Sequence, residues 1–194
     1  MYSIEKEASA TLEVKQSKFI AHLVPFHDYE ATLQRLKEEH PKARHFVTAY
    51  RYLNEYAQIV EHSSDDGEPK GTSGKPSLMV LQGEDLINVG VIVVRYFGGT
   101  KLGTGGLVRA YSDAVNLVVS VADRVVYKEQ KSILIEVEYS DIRLVEYECQ
   151  AMNIAIVAKE FAQKPRYTLQ APKEDIDRFL QKLKRVVTLV ETTT

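Results

Sequence analysis

The chain has 194 residues, is 44% hydrophobic and 27% charged, and sets 25 lysines and arginines against 27 acids for a formal net charge of −2. That balance fits a folded protein of one large or two small domains, and it excludes one that coats nucleic acid by bulk charge, which needs many phosphate-neutralising cations. The single cysteine, Cys149, excludes an intramolecular disulfide and fits a reducing, cytoplasmic setting.

The N-terminus carries acids and lacks the apolar core of a signal peptide. From there, Thr11 to Val14 and Lys18 to Val24 read as two strands joined by a short polar turn, with Phe19 and Ala21 on one face and Ile20 and His22 on the other. Asp28 to His40 reads as a helix capped by Asp28 and stopped at Pro41. Arg44 to Leu53 and Gln58 to His62 form an antiparallel pair around Asn54-Glu55. A polar loop, Ser63 to Gly74, leads into a short helix over Pro76 to Gln82.

Val89 to Phe97 is a buried strand whose apolar run is far shorter than the roughly 20 residues of a membrane helix. A glycine cluster follows, then a helix from about Thr104 to Val121. Its expected apolar stripe is Leu107, Ala110, Tyr111, Ala114, Leu117, Val118 and Val121. Beyond a charged segment, strands at Ile133–Val137, Ile154–Phe161, Arg166–Ala171 and Val186–Val190 alternate with helices at Ser140–Met152 and Glu174–Lys184. That order, β-α-β-β-α-β, is the ferredoxin-like pattern. The expected fold is therefore α+β with two domains, 1–124 and 125–194. Neither is a basic module: the first holds 14 cations and 16 acids, the second 11 of each.

Two segments stand out chemically. Arg95-Tyr-Phe-Gly-Gly-Thr-Lys-Leu-Gly-Thr-Gly-Gly-Leu-Val-Arg109 places Gly98, Gly99, Gly103, Gly105 and Gly106, five of the ten glycines, between a strand and a helix. Free amides at a helix start attract an anion, and Lys101 and Arg109 add full charges. A phosphate-binding P-loop would need lysine at Thr104, and a dinucleotide fingerprint would need glycine at Val108. Two readings stay open: a tight, closely packed turn, or an anion receiver.

The second segment, Ser63 to Pro76, groups Asp65, Asp66 and Glu68 with Lys70, Thr72, Ser73 and Lys75. The acids can hold Mg²⁺, a hard ion that suits carboxylates plus substrate phosphates. They can equally pair with Arg95 or Arg109 and tie two loops together, which is the simpler explanation. All five histidines lie within the first 62 residues, and none forms a metal-binding helix pair. His45 is the best placed for a polar site. Cys149 reads as core packing, and Tyr50, Tyr52 and Tyr56 as an aromatic group in the sheet.

Together, DDGEPKGTSGKP and VVRYFGGTKLGTGGLVRAYSDA, with KQSKFIA and ARHFVTAY upstream, resemble the signature of the YigZ/Impact family and its bacterial YigZ- and YvyE-like members. The resemblance covers most of residues 11–122, and residues 130–191 resemble the smaller C-terminal domain of bacterial members. It implies a first domain like domain 2 of ribosomal protein S5 and a second like domain V of elongation factor G. It also implies a link to translation, since eukaryotic Impact is a translational regulator.

Combined with the residues, this gives an expected function: a translation-linked binding protein that docks on structured RNA, the ribosome or a translation factor. Lys75, Arg95, Lys101, Arg109 and the amides of Gly98 to Gly106 would receive phosphates, with Asp65, Asp66 and Glu68 orienting them or holding an ion. The alternative is a Mg²⁺-dependent enzyme acting on a phosphorylated small molecule or nucleotide, with His45 as acid or base. No DNA-specific motif is present.

Overall fold

The computed structural model describes residues 1–193. The chain divides into two compact units, Met1–Tyr127 and a second beginning at Lys128. The protein is α+β, with sheets and helices in both. No helix among the described residues is long and apolar enough to cross a membrane.

In the first unit, strands β1 (Tyr2–Ile4), β2 (Ala8–Val14), β3 (Ser17–Pro25), β4 (His45–Leu53), β5 (Ile59–Ser64), β6 (Val89–Tyr96) and β7 (Arg124–Val126) accompany helices α1 (Tyr29–Glu39), α2 (Gly74–Gly83) and α3 (Gly103–Val121). Five strands form an antiparallel sheet in the order β2-β3-β6-β4-β5. Central β6 is buried over seven of its eight residues because both its faces are covered. Val89, Val91 and Val93 join Phe19, Ala21, Leu107, Tyr111 and Val118 in the core under α2 and α3. Ile92 and Val94 join Tyr29 and Leu36 under α1. A strand buried on both faces loses its alternation and reads as one apolar run.

Asp28 precedes α1 but makes no side-chain capping bond. On α3, Val115 and Val119 are buried, whereas Leu117 and Val121 of the expected stripe are 36% and 58% exposed. Both sets satisfy helical spacing; the surrounding layers select between them. The aromatic group also divides. Tyr50 and Tyr52 pack with Phe26, whereas Tyr56 lies in the β4–β5 turn, 72% exposed. β1 and β7, each only three residues long, pair with one another. β7 therefore belongs to the first unit, although it lies at and just past the 124/125 division drawn through the charged segment.

The second unit holds β8 (Gln130–Val137), α4 (Ile142–Ala151), β9 (Ala155–Glu160), β10 (Arg166–Pro172), α5 (Lys173–Lys182) and β11 (Val187–Thr193). Its antiparallel sheet runs β11-β8-β10-β9, the ferredoxin-like arrangement. A short 3₁₀ turn, Tyr139–Asp141, precedes α4, which has no side-chain cap. Ile133, Ile135, Tyr167, Leu169 and Phe179 fill the core with Cys149, whose thiol burial pushes up to about 11. That is a packing residue, as its place on an apolar helix face predicts.

Candidate functional site

Antiparallel pairing of β4 with β6 sets His45 directly opposite Arg95. The loop after β5 is folded back over this pair by its own acids. Asp65 accepts bonds at the start of α2 from the amides of Gly71 (2.7 Å), Ser73 (3.1 Å) and Gly74 (2.8 Å), and from the Ser73 hydroxyl (2.7 Å). Asp66 has a left-handed backbone, φ 45°. Its carboxylate accepts from the Phe46 amide at 2.6 Å, and its carbonyl accepts from His45 Nδ1 at 2.7 Å. A carbonyl only accepts, so Nδ1 carries the proton and Nε2 faces Glu68 Oε1 at 3.9 Å.

Asp65 is thus a cap supplied from outside its helix. Burial pulls its carboxyl upward, but the bonds from Gly71, Ser73 and Gly74 outweigh this and hold it below the ordinary aspartate range. Asp65→Asn keeps one accepting oxygen but removes the charge and the second acceptor, and is expected to cost about 1.5–3 kcal/mol near neutral pH, the scale of a hydrogen bond to a charged group. The folded-state value is depressed, so this stabilisation is present above the ordinary carboxylate range and lost as pH falls through the folded value. Denaturant midpoints of the two proteins should differ most near neutral pH and converge in acid.

Glu68 is buried and takes both the Arg95 guanidinium, through Nη1, and the Tyr111 hydroxyl at 2.9 Å. A loop acid thus pairs with Arg95. Burial beside Glu68 raises the Tyr111 hydroxyl far above its usual range. Arg95, 5% exposed, also lies 5.4 Å from the Phe19 ring centroid and 5.8 Å from that of Phe97. Its Nε is buried with no hydrogen-bond partner.

A cleft of about 440 Å³ opens here, lined by Arg44, His45, Glu68, Arg95, Lys101 and the start of α3 at Gly103 and Thr104, with Pro69, Phe97, Leu102 and Leu107 as its apolar walls. The lining has three permanent cations and one carboxylate. α3 begins without a side-chain cap and without an acid in its first turn, so its first amides have no intrahelical partner. Gly99 and Gly103 have φ of +87° and +73°, which the reversal into α3 requires. Gly105 and Gly106 fall within the first turn of α3.

Several expected site residues lie elsewhere. Lys75, exposed on α2, and Arg109, exposed on α3, do not line the cleft. The Gly98 amide is already bonded to the Ser17 hydroxyl at 3.1 Å. Thr72 bonds internally to the Pro69 carbonyl. Asp65, Asp66 and Glu68 diverge, each held by different partners, and no group of three His, Cys, Asp or Glu is placed to hold a metal among the described residues. Arg44, Phe97 and the Tyr111 hydroxyl were missed. The last carried a signal, since a tyrosine in an apolar stripe needs a partner for its hydroxyl.

The molecule is thus a two-domain α+β protein whose first domain carries a cationic cleft at a helix start. Residues 15–119 match the Impact N-terminal domain and residues 135–186 a domain of unknown function (DUF1949). The chain belongs to the Impact family. It is 35% identical to an IMPACT family member of Haemophilus influenzae over 174 residues, covering 88% of this chain and 84% of that protein. It is 34% identical over 99 residues to Protein IMPACT of Xenopus laevis, covering 48% of this chain and 31% of that protein. A solved structure of a hypothetical protein superposes with a TM-score of 0.72 at 28% identity, covering 97% of this chain and 95% of the other.

Proposed function

We propose that this protein is a translation-linked regulatory or binding protein that docks on structured RNA by receiving phosphate in the cleft of its first domain. One observation carries this reading: a buried arginine with an unpaired Nε lines the same cleft as Lys101 and the uncapped start of α3. A buried donor without a partner costs free energy, and the free amides of a helix start beside such a cation favour an anion. The link to translation is what the family resemblance implies. It is supported by the span of the Impact N-terminal match, which contains every residue lining the cleft. The overall charge of −2 fits a local patch rather than a coating.

With about three cations engaged, binding to ribosomes or structured RNA should weaken roughly 20- to 40-fold as salt rises from about 50 to about 200 mM. Lys101→Ala with Arg44→Ala should weaken it further and flatten the salt slope by about two. Arg109→Ala, outside the cleft, should leave it unchanged. Co-sedimentation across salt measures this. Absence of binding at low salt, or equal binding by the double variant, contradicts the proposal.

A further inference from the structure

We infer that the cleft takes a single nucleotide: its 5′-phosphate sits at the start of α3 with Arg95 and Lys101, and its base lies against Phe97. This rests on the phosphate-docking reading above and gives that site a ligand class. The volume is the first reason. About 440 Å³ is the size of a small-molecule site and leaves most of the space empty around a lone phosphate.

The walls are the second reason. Pro69, Phe97, Leu102 and Leu107 border the cations, so the ligand joins an anion to a flat apolar part. Phe97 leaves 45% of its surface exposed immediately after β6, a strand buried over seven of its eight residues. An aromatic side chain beside a phosphate site is the platform on which an unstacked base settles, whatever its identity. A paired helix keeps its bases stacked inside, so only a free, terminal or splayed-out nucleotide fits.

The third reason is the anion end. Arg95 is more than nine-tenths buried, held in place by Glu68 through Nη1, and its Nε lacks a partner. The first amides of α3 have none within the helix. A cation fixed by its own carboxylate beside free backbone donors is pre-organised for one phosphate group. The same nucleoside 5′-monophosphate chemistry is offered by a free mononucleotide and by the 5′ end of an RNA strand.

Calorimetry with AMP, ribose 5-phosphate and adenosine tests the assignment. AMP should bind about tenfold more tightly than ribose 5-phosphate, the effect of one base–aromatic stack. Phe97→Ala should abolish that difference, and Lys101→Ala should weaken both phosphorylated ligands but not adenosine. The nucleotide assignment is overturned if ribose 5-phosphate matches AMP, or if Phe97→Ala leaves AMP binding intact, while Lys101→Ala still weakens both phosphates and RNA. If Lys101→Ala changes neither, the phosphate site itself falls. A short RNA with a 5′-phosphate that outcompetes AMP, while its 5′-hydroxyl counterpart does not, identifies the RNA end as the source. AMP binding above that of both oligomers identifies the free nucleotide.

Discussion

Replacing Glu68 with alanine should cost the first domain about 3–5 kcal/mol, the penalty for leaving one member of a buried ion pair alone. The two side chains are only 4% and 6% exposed, so water cannot take over from the lost carboxylate. The same change removes the acceptor of the Tyr111 hydroxyl, in the middle of a helix that packs on Phe19. Glu68→Gln keeps the shape but not the charge, and should fall between alanine and the parent. Both variants should also bind phosphate more tightly: the cleft lining loses its one carboxylate while keeping Arg44, Arg95 and Lys101, and relief of that close-range repulsion outweighs the about 0.5–1.5 kcal/mol lost when Arg95 is no longer held in place. A lower denaturant midpoint together with higher phosphate affinity marks Glu68 as an anchor that stabilises the fold at the expense of binding. A lower midpoint with unchanged or weaker affinity contradicts the cationic character assigned to the cleft.

Gly98→Ala is the second large effect. A Cβ at Gly98 would sit 2.1 Å from the Gln16 carbonyl carbon, 2.3 Å from its oxygen and 2.3 Å from the Ser17 nitrogen. These are backbone atoms, so no rotamer change relieves the clash. Nor can the hairpin move easily. Lys15 and Gln16 both have positive φ, 46° and 65°, as a two-residue turn between twisted strands demands, and β2 and β3 are paired in register from Val14↔Ser17 onward. The cost should reach or exceed the upper end of the about 1–3 kcal/mol typical of overpacking. The bond from the Gly98 amide to Ser17 would be lost as well. Thermal unfolding of the variant, with amide exchange at Lys15–Ser17, measures this. A variant as stable as the parent contradicts the close approach.

The contrast between these residues explains what could be read from the sequence. The buried run of β6 and the 3/4 spacing of α3 were legible because the pattern repeats along the element. The choice of Val115 and Val119 over Leu117 and Val121 was not, because it depends on neighbouring layers. For the glycines, density pointed to a special turn but could not separate Gly98, fixed by contact with a hairpin some 80 positions earlier, from Gly105 in the first turn of α3. The acids behaved likewise. Asp65, Asp66 and Glu68 look equivalent in a row, yet one caps a helix, one pins β4 and one pairs with Arg95 through Nη1. Phe97 and Arg44 gave no signal, since their role comes only from lining a cleft shared with the loop that carries those acids.

The most direct test of the cleft as a phosphate receiver is ¹⁵N NMR of the intact protein titrated with inorganic phosphate and then with AMP. The amides of Gly103, Thr104 and Gly105 and the Arg95 Nε–H should shift together and saturate at one affinity, because all of them would sense the same anion. Shifts confined to exposed lysines and arginines such as Lys75 and Arg109, with the α3 amides and Arg95 Nε–H unmoved, would contradict it.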